Sequence, residues 1–110
     1  MSDIDLCPRF EAAVGLIGKR WTGLIVEVLL KRPLRFSEIS QAIPQLSDRM
    51  LAERLKELEA AGIVERHVYP DTPVRVEYSL TAKGRDLAPV MDALHQWANR
   101  WMLVPTHSAP

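Results

Sequence analysis

Apolar positions recur at helical spacing over most of the chain, then at alternating spacing over one short stretch, then at helical spacing again. The clearest helix is residues 47–59, SDRMLAERLKELE, with Leu51, Leu55 and Leu58 on one face and Arg49, Glu53 and Lys56 on the other. Ser47 suits its N-cap, and Gly62 suits the left-handed position past its end. Ahead of it, Pro8 after Cys7 opens a helix with Phe10, Ala13, Val14 and Ile17 on its apolar face, broken by Gly18-Lys19-Arg20. A second helix over 21–31, carrying Leu24, Ile25, Val28 and Leu29 inward, is expected to be the most buried and ends before Pro33. Leu34-Arg35-Phe36 reads as a short strand. Ser37 is the expected cap of a third helix over 38–43, with Ile39, Ala42 and Ile43 inward, and Pro44-Gln45-Leu46 forms the turn before Ser47. The period then drops to two. Residues 63–69 and 74–80 read as strands joined by the turn Pro70-Asp71-Thr72-Pro73, with Val74, Val76, Tyr78 and Leu80 alternating against Arg75, Glu77 and Ser79. Thr81 caps a long last helix over 82–102, kinked at Pro89.

A short helix, a tight turn, a longer capped helix and a hairpin make a winged helix-turn-helix. The predicted fold class is α+β, mainly helical, with N-terminal and C-terminal helices available for dimerisation. Residues 1–6 are expected to be disordered, 7–102 to form the domain and 103–110 a flexible tail. The last helix gathers Leu87, Val90, Met91, Leu94, Trp97, Ala98, Trp101 and Met102 on one stripe. Tryptophans are costly to leave in water, since each removes ~150–250 Å² on burial. Two coverings are possible: the first helix of the same chain, or a second copy. The second is preferred, with Phe10 and Val14 joining the seam, because a dimer also sets two reading helices one DNA turn apart.

Composition narrows the class. The 110 residues are 47% hydrophobic and 25% charged, which fits one small globular domain. No apolar run approaches the ~18 residues of a membrane span, and the acidic start lacks a signal peptide's basic and apolar regions. A cytoplasmic protein with no membrane partner is expected. The single cysteine excludes an intramolecular disulfide. The formal net charge is zero, but between residues 31 and 56 Lys31, Arg32, Arg35, Arg49, Arg54 and Lys56 outnumber Glu38, Asp48 and Glu53.

No catalytic constellation is present. His67, His95 and His107 share no metal-ligand spacing with one another or with Cys7, and the five glycines are isolated. No enzyme, cofactor or metal is expected. Double-stranded DNA is the expected partner. The reading surface would be the first turn of the 47–59 helix (Ser47, Asp48, Arg49, Met50) with Ala52, Glu53 and Lys56 below it. Arginine can bond guanine O6 and N7, alanine can approach a thymine methyl and glutamate can accept from cytosine N4. Arg35 and Ser37 lie where the preceding helix meets phosphate, and Arg75 where a wing meets the backbone or minor groove. The plain alternative is a solvated charged helix face. Lys31 and Arg32 are equally explained by the charge preference of a helix C-terminus. Cys7 has two readings. It is a reactive thiol, its thiolate favoured by the helix N-terminus and Arg9, or a small buried hydrophobe.

Several motifs together resemble the HxlR-type bacterial transcriptional regulators, relatives of the MarR group. They are Cys7-Pro8, Leu16-Ile17-Gly18-Lys19-Arg20-Trp21, Arg35-Phe36-Ser37-Glu38-Ile39, residues 50–58 (MLAERLKEL), residues 73–81 (PVRVEYSLT) and Gly84. The resemblance spans residues 7–102 and is greatest to that family's YodB/CatR group, repressors that sense quinones and diamide. It implies a homodimer on an inverted-repeat operator that represses detoxification genes, with Cys7 as redox sensor for quinones or other oxidants. Some members carry further C-terminal cysteines, which this tail lacks. Oxidation would then give a Cys7–Cys7′ disulfide, a mixed disulfide with a small thiol, or a quinone adduct. The competing functions are a winged-helix regulator controlled by a reversible ligand, with Cys7 structural, and a winged-helix protein-interaction module that never touches DNA.

Overall fold

The computed structural model describes residues 3–104. In chain order the elements are α1 (Pro8–Ile17), α2 (Thr22–Leu29), α3 (Phe36–Ala42), α4 (Asp48–Ala60), β1 (Val64–Tyr69), β2 (Arg75–Leu80), α5 (Ala82–Arg85) and α6 (Ala88–Trp101). The core forms where α2, α3, α4 and the hairpin meet. Ile25, Val26, Ile39, Leu51, Leu55 and Leu58 are almost entirely removed from water. The helix α4 follows its sequence closely. The Ser47 hydroxyl accepts the Met50 N–H at 3.1 Å, its three leucines bury, and Gly62 follows at φ 75°.

The hairpin pairs antiparallel from Val64↔Leu80 to Tyr69↔Arg75. Val64 and Leu80 are buried, so Arg66 and Val68 lie on the same face as Val64, and Glu65, His67 and Tyr69 on the other. Residue 34 joins the sheet edge only as an isolated bridge. Leu34 and Tyr78 exchange both backbone hydrogen bonds, at 2.9 and 2.8 Å, in place of the short strand expected over 34–36.

Four other expectations change. The third helix begins at Phe36 with Arg35 at its N-cap, so Ser37 lies inside the first turn rather than capping it. The cap works in reverse: the Glu38 carboxylate accepts the Arg35 N–H at 2.8 Å. Leu24, expected inward, is exposed, while Val26 takes its place in the core. The chain enters α2 through Trp21 at φ 80°, a left-handed backbone that a non-glycine residue adopts only at a cost of order 1–3 kcal/mol. Trp21 is half-buried against the core. Finally, the long last helix is two helices. Thr81 caps α5, its hydroxyl accepting the Gly84 N–H at 3.1 Å. Pro89, with no N–H for the carbonyl of residue 85, falls in the first turn of α6, where none is needed, so the chain breaks instead of kinking.

Nothing in α1 is buried, and α6 buries only Met91. The two helices therefore leave each other's apolar faces open within the chain. The radius of gyration is 16.4 Å, against about 13 Å for a compact domain of ~100 residues. No described helix is long and apolar enough to cross a membrane.

Candidate nucleic-acid interface and sensor cysteine

The exposed face of α4 carries Arg49, Ala52, Glu53 and Lys56. The Arg49 side chain is 91% exposed, and its one ion pair among the described residues is with Glu53 at 3.9 Å. The rest of the first turn has partners within the chain, although Ser47 and Asp48 remain exposed. The Ser47 hydroxyl holds the cap, Asp48 accepts the Ser40 hydroxyl at 2.8 Å, and Met50 is half-buried against the core. The Ser40–Asp48 bond ties α3 to the start of α4 and fixes the angle between them. Arg54, on the flank, donates to the Arg20 carbonyl at 3.0 Å and pairs with Glu57 at 3.2 Å, so it serves the fold.

Arg35 and Ser37 are both exposed at the start of α3. The Arg35 N–H, and then the Arg32 guanidinium, hold the Glu38 carboxyl below its usual range. Arg32 reaches Glu38 at 3.1 Å, so it is a paired but exposed cation. Lys31 is exposed at the end of the same segment. Arg35 also borders a shallow hollow with Asp71, Thr72, Pro73, Val74, Arg75 and Val76, so the start of α3 and the hairpin tip share one surface. On that tip Arg75 is a tethered group. Its guanidinium reaches Asp71 at 3.2 Å and Glu77 at 3.0 Å and lies 4.2 Å over the Tyr69 ring. One cation escaped the sequence reading: Arg66, exposed on β1, borders a hollow with Ala52, Lys56 and Glu59 of α4. Strand alternation was the available signal, since Arg66 shares its face with Val64.

At the other end of the molecule Cys7 is exposed and occupies the N-cap of α1, directly before Pro8. Burial as a small hydrophobe is thereby excluded within the chain. The backbone N–H of Phe10, then that of Arg9, lowers the thiol below its ordinary value of 9.0. Helix dipole and hydrogen bonding both favour thiolate. Phe10 and Val14 continue along α1, 65% and 51% exposed. On α6, Val90, Leu94, Trp97 and Trp101 are each more than half exposed, Leu87 and Ala98 are half-buried, and Met91 is in the chain's own core. An apolar groove of about 320 Å³ runs between α2 and α6, lined by Trp21, Leu24, Met91, Leu94 and Ala98. At its edge His95 bonds Glu27.

His67 is likewise partnered, by Ser79 at 3.1 Å and Glu65 at 3.2 Å, and His107 lies outside the described residues, as does the expected tail from residue 105 onward. Among the described residues no group of three or more His, Cys, Asp or Glu gathers in metal-binding geometry.

Residues 16–105 match the family described as HxlR-like helix-turn-helix. The chain is 55% identical over 102 residues to the HTH-type transcriptional regulator YvaP of Bacillus subtilis (strain 168), covering 93% of this chain and 94% of that protein. It is 53% identical over 96 residues to the HTH-type transcriptional regulator YodB of the same organism, covering 87% and 86%. The crystal forms of YodB superpose closely. Its reduced form gives a TM-score of 0.81 at 52% identity over 89% of this chain and 96% of that one. The diamide-treated form gives 0.77 at 50% identity over 92% and 100%, and the quinone-bound form 0.77 at 49% identity over 87% and 100%. These relatives are named as regulators, not enzymes. The chain belongs to the HxlR-like helix-turn-helix family of transcriptional regulators.

Proposed function

We propose that this regulator is a homodimeric repressor, bound to an inverted-repeat operator in its reduced form and released when Cys7 is oxidised or alkylated. The observation that carries the reading is the position of Cys7: an exposed, thiolate-prone residue on the same helix whose Phe10 and Val14 lie uncovered. The exposed α6 residues supply the other half of the proposed seam. Support for the thiol chemistry comes from YodB, a relative with diamide-treated and quinone-bound forms.

Two reactions follow from one thiol per chain. Diamide, a two-electron oxidant, accepts two hydrogens and becomes the hydrazine as the Cys7 sulfurs of two subunits join. With a small thiol present, a mixed disulfide forms by the same electron count. A quinone instead undergoes addition of the thiolate to its ring carbon; the ring rearomatises to a hydroquinone thioether, with no further oxidant. Either product lies at the base of α1 and alters how the two subunits meet. The reading helices then change spacing. Each lost base contact weakens binding by ~1–3 kcal/mol, so losing two lowers affinity about thirtyfold or more.

The test is intact mass and non-reducing electrophoresis after each reagent, beside Cys7→Ser. Expected are a thiol-reversible dimer band or small-thiol adduct after diamide and a stable mass increase after quinone, both absent in the variant. Protein left as an unmodified reduced chain would remove the thiol switch.

A further inference from the structure

Resting on the DNA-binding reading, we infer that Arg66, together with Lys56, is the clamp that holds a DNA phosphate between the reading helix and the wing. The hairpin has two unlike faces. On the face carrying Glu65, His67, Tyr69, Arg75, Glu77 and Ser79, the charges satisfy one another. Arg75 meets Asp71 and Glu77, and His67 meets Glu65 and Ser79. That face presents no excess positive charge to a polyanion. The other face carries Val64, Arg66 and Val68, paired in register with Leu80, Tyr78 and Val76. Val64 and Leu80 are buried in the core, and Val68 on the same face is exposed. Arg66 is the first residue on that face beyond the core.

Between this face and α4 is a hollow of about 330 Å³, lined by Ala52, Leu55, Lys56, Glu59, Arg66 and Tyr78. Lys56 of α4 and Arg66 of β1 both line it, and among the described residues neither joins an ion pair or hydrogen bond. Glu59 is the one anion on its wall and is half-buried, leaving the hollow with a net positive charge. Ala52, which opens one wall, belongs to the exposed face of α4 with Arg49. With that face in a major groove, a phosphate of the flanking backbone would be placed over the hollow between helix and hairpin. A phosphate there meets two cations from two elements. Such a contact fixes the register of the helix in the groove without reading sequence.

The phosphate contact has a signature that a structural role lacks. The logarithm of affinity falls with the logarithm of salt concentration by ~0.9 per phosphate neutralised. The full chain, reduced, is titrated at several salt concentrations against the fragment upstream of its own gene and against a short duplex of arbitrary sequence. Arg66→Gln, which leaves Lys56 alone on the phosphate, is expected to weaken binding to both duplexes and to flatten the salt slope by up to ~0.9 per subunit, up to about 1.8 per dimer. Arg66→Lys keeps the slope, and so does Arg75→Gln. Arg66 is exposed, so thermal unfolding of Arg66→Gln should match the wild type. A wild-type slope in Arg66→Gln, or a flattened slope in Arg75→Gln instead, overturns the inference while leaving DNA binding intact. A wild-type chain that binds neither duplex at any salt concentration overturns the DNA-binding reading and the clamp with it.

Discussion

Cys7 occupies the one position in the first helix where the backbone has N–H groups to spare, and it is open to solvent. Its thiol pKa is lowered by the N–H groups of Phe10 and Arg9. The rate of alkylation should therefore reach half its plateau below pH 9.0, and a measured midpoint at or above that value would remove the activated thiolate. Cys7→Ser is expected to bind DNA at wild-type affinity and to ignore diamide. Glu38 gives a second residue-scale prediction. Its pKa is lowered, first by the Arg35 N–H and then by Arg32, so the folded state binds its proton less readily than the unfolded chain. The stability it contributes is present in full above the usual glutamate value of 4.5 and is lost as pH falls through the lowered value. In Glu38→Gln the denaturant midpoint should fall less steeply across that acid range, and an identical acid limb would show that the carboxylate contributes nothing. Position alone left Cys7 open between thiolate and buried hydrophobe, because exposure depends on what neighbouring elements leave uncovered. Ser37 was misread for a related reason. A serine suits a cap, but the Glu38 carboxylate three residues after Arg35 captured the free N–H first.

At the scale of elements, the most legible is α4, where three leucines at helical spacing, a serine cap and a terminal glycine all point to one helix. Leu51 and Leu55 are all but fully buried, and Leu51→Ala should destabilise the fold by ~2–5 kcal/mol, read as a lowered chemical-denaturation midpoint. Ser47→Ala should cost about 1 kcal/mol. The α5–α6 break was less legible. Pro89 was visible, but a proline both kinks helices and starts them, and only packing around Gly84 decides which. A Cβ on Gly84 would lie 2.3 Å from the Ile63 carbonyl oxygen and 3.0 Å from Leu80, so α5 is pressed against the base of the hairpin and α6 must leave in a new direction. Gly84→Ala should therefore destabilise the protein by ~1–3 kcal/mol, a magnitude set by overpacking; a variant with unchanged unfolding would show that the helix can shift at no cost. Trp21 had no sequence signal for its left-handed backbone; in the fold its ring packs against the core.

At the scale of the whole molecule, the apolar faces of α1 and α6 are left exposed by the chain's own fold. The stripe from Val90 to Trp101 was legible as an amphipathic face, and Met91 was legible as part of it. What periodicity could not separate is which of its members turn inward to the chain's own core, as Met91 does, and which stay exposed. If the seam is a dimer, Leu94→Asp should give a monomer by sedimentation and lose most DNA affinity, since one half-site replaces two. A dimeric Leu94→Asp would place the seam elsewhere. The proposed switch depends on that seam as well: modification at Cys7 would act on DNA by changing how two subunits meet.

The central claim is that the state of one thiol sets operator occupancy. The direct measurement is DNA affinity for the fragment upstream of the protein's own gene, at one stated salt concentration, in reduced protein, after diamide, and after diamide followed by excess thiol. Cys7→Ser is run alongside. Tight binding, loss and recovery are expected in the wild type, and unbroken tight binding in the variant. Equal affinity in all three wild-type states, or loss of affinity in Cys7→Ser after diamide, would contradict the claim.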